Sequence, residues 1–128
     1  MREIQTVEHS VTKIFALDAP GAGGACHSYI VVLKNGSDKD LVDNDTRGRQ
    51  RVAEINFQNG PVQEAGANGC FQEDLIAICV DRLRSFQQGD FKCRENALAI
   101  THLEEALNWL NSRTLNRKQR GVEGKLEV

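Results

Sequence analysis

At 128 residues the chain has room for one compact domain and not for two ordinary domains side by side. Its 40% hydrophobic and 27% charged residues exclude intrinsic disorder, and no apolar run approaches the roughly 20 residues of a membrane-spanning helix. A net charge of −2 excludes the global basic field that binding to DNA or long RNA requires.

The N-terminus, Met1 to Gln5, has Glu3 and Gln5 where a signal peptide places a basic cap and an apolar core, so export is not expected. Val11 to Leu17 is a candidate strand. Gly21 to Cys26 has the glycine density of a phosphate loop, but it lacks the Lys-Ser/Thr of a P-loop and precedes a strand, so a β-turn or bulge is expected. The clearest strands are Tyr29 to Lys34 and Val52 to Gln58. In the second, Ala53, Ile55 and Phe57 alternate with Glu54, Asn56 and Gln58, giving one buried and one wet face. Three Asn-Gly pairs, at Asn35, Asn59 and Asn68, punctuate these runs like the turns of a meander, with Asp40 to Val42 returning from the first. Residues 43–51 form a polar loop or an exposed hairpin.

Near residue 70 the period becomes helical. Leu75, Ile76, Cys79, Leu83 and Phe86 share one face of a helix from Gln72 to Gln88, which Gly89 ends and after which Asp90 can cap. A second helix runs from about Arg94 to about Gln119, a rod of roughly 39 Å. It carries two seams. Asn96, Ile100, Leu103, Leu107, Leu110, Thr114 and Arg117 follow a heptad-like spacing, and Ala99, His102, Ala106, Trp109 and Arg113 run beside them. One seam packs on the rest of the chain, so the other calls for a partner, most simply a second copy. The expected architecture is α+β: an N-terminal antiparallel sheet followed by an antiparallel two-helix hairpin that oligomerises through its long second helix. Residues 1–128 form a single domain, with 1–69 β-rich, 70–121 the hairpin and 122–128 a tail.

Cys26, Cys70, Cys79 and Cys93 form no CxxC pair and read as reduced, mostly buried thiols, with Cys93 near a helix start and no metal expected. His9, His27 and His102 stand in no catalytic setting, and Glu104 and Glu105 point about 100° apart on a solvated face. No catalytic set is expected.

The strongest local signal is C-terminal. Residues 106–128 carry 5 basic and 2 acidic groups, against 11 and 16 in all that precedes them. Arg113 and Arg117 lie one turn apart with no nearby acid, and planar guanidinium forks suit phosphate oxygens. Trp109, a turn before Arg113, offers a surface for cation–π contact, and Arg120 extends the cluster. Neutralisation of the helix dipole is the plainer reading of such a cluster. Phe86 and Phe91 flank the inter-helix turn, where they staple the hairpin or, for Phe86, stack on a base. Asn96 has a donor and an acceptor for fixing register, capping the preceding loop, or reading a base or ribose edge.

The stretches Ile55 to Glu64, Glu73 to Leu83, Cys93 to Ala99, Leu103 to Leu110 and Arg113 to Gly124 closely resemble the bacteriophage anti-Thoeris sponge family. Its helical hairpin is shared with the anti-CBASS cyclic-oligonucleotide sponges. The resemblance implies a non-enzymatic protein of the host bacterial cytoplasm, without cofactor or metal. Such a protein sequesters cyclic ADP-ribose isomers made by TIR-domain enzymes and does not cleave them. It further implies that Phe86 stacks on the adenine, that Asn96 and the loop before it close over the ligand, and that Arg113 and Arg117 hold the pyrophosphate at a dimer interface. Trp109 and Arg120 are then further candidate contacts. Some members also bind cyclic di- or trinucleotides in separate pockets of a hexamer built from dimers. The competing expectation is an adaptor whose basic helix end docks an acidic partner.

Overall fold

The computed structural model describes residues 1–8, 10–34 and 50–119. Four strands, β1 (Arg2–Ile4), β2 (Thr12–Ala16), β3 (Ser28–Leu33) and β4 (Arg51–Asn56), are followed by a short helix α1 (Val62–Ala65) and two long ones, α2 (Gln72–Gln87) and α3 (Arg94–Gln119). The fold is α+β. The chain divides into two compact units, with the boundary in the sequence between Cys70 and Phe71. Among the described residues no helix is long and apolar enough to cross a membrane.

In the first unit the strands form one antiparallel sheet in the order β1-β2-β3-β4. Phe15 pairs with Ile30 across β2 and β3, and these two with Val32 are its buried core, against which Leu17 packs. The three-residue edge strand β1 was not expected; too short for an alternation to be read, it is held by pairing to β2. In β4 and just beyond it, Ile55 and Phe57 are half-buried and Glu54 and Asn56 exposed, as the alternation predicts, but Ala53 is exposed and Gln58 half-buried. The Asn35 turn, the Asp40 to Val42 return, most of 43–51, His9, Arg120 and the 122–128 tail lie outside the described residues.

The segment 17–28 is a turn and not a phosphate cradle. A single 3₁₀ turn at Ala22–Gly24 places Gly23 and Gly24 at φ of 73° and 80°, which only glycine adopts without strain. Asp18 fastens the loop: one carboxylate oxygen accepts the backbone N–H groups of His27 and Ser28 at 3.2 and 3.1 Å, and the other accepts His27 N–H at 2.9 Å. The His27 ring Nε2 lies 3.0 Å from the Ala22 carbonyl, to which it donates. Burial works to raise the Asp18 carboxyl, but these backbone hydrogen bonds and the nearby His27 charge outweigh it and hold the pKa below the ordinary value.

The two later Asn-Gly pairs do not close hairpins. Asn59 and Asn68 meet across the mouth of a loop, where Asn68 donates to the Asn59 carbonyl at 2.8 Å and accepts its N–H at 2.7 Å. Gln58 fills the loop, donating to the carbonyls of Gly60 and Gly66. Cys70 then returns alongside Phe57, its N–H bonded to Asn56 and its carbonyl to Gln58. Gly69 permits this approach, since a Cβ there would sit 2.5 Å from the Asn56 carbonyl oxygen. Two-residue turns need strands on both sides, and here one side is followed by Pro61 and α1.

The thiols are less buried than expected: Cys26 is buried and Cys70 half-buried, while Cys79 and Cys93 are exposed. Cys79 sits one position off the face that α2 buries, and Cys93 is engaged at a helix start.

Candidate ligand site on the helical hairpin

Asp74, three residues after Phe71, accepts the Phe71 N–H at 2.9 Å and opens α2. The helix buries a 3-4 repeated face of Glu73, Ile76, Val80, Leu83 and Gln87, with Val80 almost wholly covered. Val80, not the expected Cys79, is the centre of that face. On α3 the half-buried positions include Asn96, Ile100, Leu103, Leu107, Leu110, Thr114 and Arg117, which is the first of the two seams in the sequence. The helices run antiparallel and Arg84 bridges to Glu104 at 3.0 Å.

Cys93, and not Asp90, caps α3: its Sγ accepts the Asn96 N–H at 3.4 Å and its carbonyl the Ala97 N–H at 3.3 Å. The turn between the helices is fastened by side chains from both. The Gln87 carboxamide accepts the Cys93 N–H at 2.9 Å and donates to the Cys93 carbonyl at 3.1 Å. Asn96 Nδ2 donates to the Phe91 carbonyl at 3.2 Å, so of its three open roles the loop-capping one is occupied. Phe86 meets Phe91 edge-on with ring centroids 6.4 Å apart, and the Arg82 guanidinium lies over the Phe86 ring at 5.1 Å. Phe86, Phe91 and Asn96 thus form one cluster at the turn, with Phe91 still 77% exposed.

Arg113 and Arg117 are elsewhere. At 1.5 Å per residue Arg113 stands about 26 Å along α3 from Asn96, farther than a nucleotide-sized ligand can bridge. Arg113 is exposed, whereas Arg117 is half-buried with its Nε out of solvent. The sequence showed no acid near this pair, but the antiparallel course brings Glu73, at the start of α2, to the turns of α3 that carry them. Trp109 is 77% exposed.

The two ends share a flank. At about 100° per residue, Leu75, Cys79, Arg82 and Phe86 fall to one side of the α2 face, and Ala99, His102, Ala106, Trp109 and Arg113 fall to the same side of the α3 seam. The opposite flank is marked by a groove of about 230 Å³ lined by Ala77, Asp81, Arg84, Glu104 and Asn108. The second seam therefore lies open beside Phe86. His102 on it is exposed, with Nδ1 3.8 Å from Glu105. Among the described residues no three His, Cys, Asp or Glu side chains gather as a metal cage would require. Arg82 and Gln87 escaped the sequence reading. Arg82 could have been found from its four-residue spacing to Phe86, but Gln87 had no signal.

The model of the Acb2/Tad1 hairpin domain matches residues 49–115. The chain belongs to the Acb2/Tad1 hairpin family. A relative, Thoeris anti-defense 1 of Bacillus phage SBSphiJ7, is 56% identical over 91 residues, which cover 71% of this chain. The chain spans 63% of that relative's length. The Acb2/Tad1 match takes in Phe86, Asn96, Trp109 and Arg113 and ends just before Arg117.

Proposed function

We propose that the protein is a phage anti-Thoeris factor that binds cyclic ADP-ribose-type signalling nucleotides and holds them uncleaved, in a site built from two copies of the chain. The observation that carries this reading is that Phe86 stands at one end of the hairpin and Arg113 at the other on one open flank, with Asn96 at the Phe86 end. An antiparallel two-fold axis at Ala106 sets Arg113 of the partner subunit opposite Ala99, and Arg117 of the partner subunit opposite Glu95, beside Asn96. The small side chains of Ala99 and Ala106 let the rods approach. Each end of such a dimer then joins a stacking ring and an amide to a pair of guanidinium forks. The name of the 56% identical phage relative supports the target pathway.

Chemically, Phe86 offers a face to adenine, worth roughly 1–3 kcal/mol. Arg82 lies over that ring and has to yield if the base takes the same side. Asn96 gives its Nδ2 to the Phe91 carbonyl and keeps its Oδ1 for a ligand donor. Arg113 and Arg117 supply charge-assisted hydrogen bonds of about 1.5–3 kcal/mol each to a diphosphate. A protein that titrates a signal has to bind below the signal's working concentration, and nanomolar affinity corresponds to about −12.3 kcal/mol. These contacts approach that figure only in a preformed, water-excluded cleft, which a helix-to-helix interface provides.

Cyclic di- and trinucleotides form the second ligand class of this reading, supported by the hairpin shared with anti-CBASS sponges. They would bind apart from the arginine pair in a hexamer of such dimers, and their binding would survive Arg113→Ala. The basic end then serves a small ligand rather than an acidic protein partner. Calorimetry with cyclic ADP-ribose isomers, followed by denaturation and recovery of the ligand, tests the function. Sub-micromolar binding and chemically unchanged ligand are expected. Altered ligand would make the protein an enzyme, and absence of heat with every isomer would favour the adaptor.

A further inference from the structure

We infer that Gln87 is a positioning residue for this site: it touches no ligand but sets the turn from which Phe86, Phe91 and Asn96 act. The inference rests on the proposed ligand binding and adds a residue to it. Gln87 occupies a half-buried position on the face that α2 packs against α3, where the repeat otherwise places Glu73, Ile76, Val80 and Leu83. A long polar side chain at such a position is costly unless its carboxamide is satisfied. Here both halves are used on one residue across the turn, Oε1 on the Cys93 N–H at 2.9 Å and Nε2 on the Cys93 carbonyl at 3.1 Å. That reciprocal pair ties the last turn of α2 to the residue that caps α3.

Three consequences converge on the ligand-facing groups. Phe86 precedes Gln87 in the chain, so the clamp fixes the backbone that carries the stacking ring. Phe91 lies inside the closed turn, and its carbonyl is the acceptor for Asn96 Nδ2. The Cys93 Sγ accepts the N–H of Asn96 itself. Releasing the Gln87–Cys93 pair frees all three together, and the binding free energy then has to supply the ordering of the turn. An apolar side chain of equal length fills the same space and cannot make the pair, so packing and clamping are separable.

The test compares wild type, Gln87→Met and Gln87→Glu in the full chain. Amide hydrogen exchange at Cys93 without ligand reads the clamp, and calorimetry with a cyclic ADP-ribose isomer reads the site. In Gln87→Met, exchange at Cys93 is expected to rise and affinity to fall by about tenfold, as for two lost hydrogen bonds in part replaced by water, with helical circular dichroism unchanged. In Gln87→Glu the carboxylate faces the Cys93 carbonyl, so affinity relative to wild type at the same pH is low near neutrality. It recovers as acidification protonates the side chain and restores a donor. Cys93 exchange equal to wild type in Gln87→Met overturns the clamp, whatever the ligand does. Faster exchange with undiminished affinity overturns the positioning role and leaves the ligand site standing, as does a Gln87→Glu deficit independent of pH. A wild-type protein that binds no isomer removes the function, and with it this role.

Discussion

Asn96 and Arg113 stand on one helix about 26 Å apart at 1.5 Å per residue, toward opposite ends of a single hairpin. No bend of α3 brings them together, because the helix is unbroken from Arg94 to Gln119. A ligand that uses both has to sit between two chains. In the proposed dimer the energetics of the site and of the interface are therefore one problem.

Replacing Arg113 by Ala separates binding from folding. The side chain is exposed on a formed helix, so removing it leaves the unfolding midpoint close to that of wild type. Loss of one charge-assisted hydrogen-bonding group weakens cyclic ADP-ribose binding by about ten- to a hundredfold, which calorimetry measures. Added salt should weaken the variant's binding less than that of wild type, since one screened charge is gone, so the deficit narrows as salt rises.

Trp109 tests the proposed interface. A 77% exposed Trp on the second seam, one turn from Ala106, has the chemistry of an interface anchor, and Trp109→Ala is expected to weaken self-association by about 2 kcal/mol or more. Sedimentation velocity across a dilution series reads this directly. Wild-type dimer with monomeric Trp109→Ala at the same concentration is the expected outcome.

Asp18 gives the sheet unit a pH dependence. Its folded pKa is depressed, so the stability it contributes is fully present above the unfolded value of about 3.9 and is lost as pH falls through the folded value. Asp18→Asn removes that contribution. Thermal unfolding of the variant should therefore vary less with pH below about 5 than that of wild type, with the two curves running parallel above it.

Gly69→Ala probes the return of the chain beside Phe57. Its Cβ would meet the Asn56 and Phe57 backbone at 2.5 Å, and backbone cannot swing aside as a side chain does. Opening the Cys70 bridge to make room is expected to cost about 1–3 kcal/mol, seen as a lower denaturant midpoint with the same slope.

The helices were more legible than the sheet because their signal is longer. Over its described 26 residues the two seams of α3 leave little freedom in where it begins, close to Arg94. In α2 the same repeat was read one position off, on Cys79 rather than Val80, since both are small apolar side chains and only packing chooses between them. Strand β1 is too short to alternate, and the Asn59 and Asn68 turns are shaped by contacts between residues far apart in sequence. For the site, Phe86 and Asn96 were placed together by the turn they flank. The gap to Arg113 was implicit in helix length, whereas the Gln87 clamp depends on a carboxamide reaching across a turn, which no periodicity encodes.

The most direct measurement mixes two chains that each lack half of the site. Phe86→Ala and the double variant Arg113→Ala/Arg117→Ala are prepared separately, assayed at a cyclic ADP-ribose isomer concentration that fills wild-type sites and leaves each variant largely empty, and then mixed under conditions that exchange subunits. A heterodimer holds one intact site, made from the ring of one chain and the arginines of the other, so random exchange restores binding to about a quarter of the wild-type sites. Recovery of that order with wild-type affinity is the expected result. A mixture as inert as its components, with subunit exchange shown to be complete, would contradict a site shared between two chains.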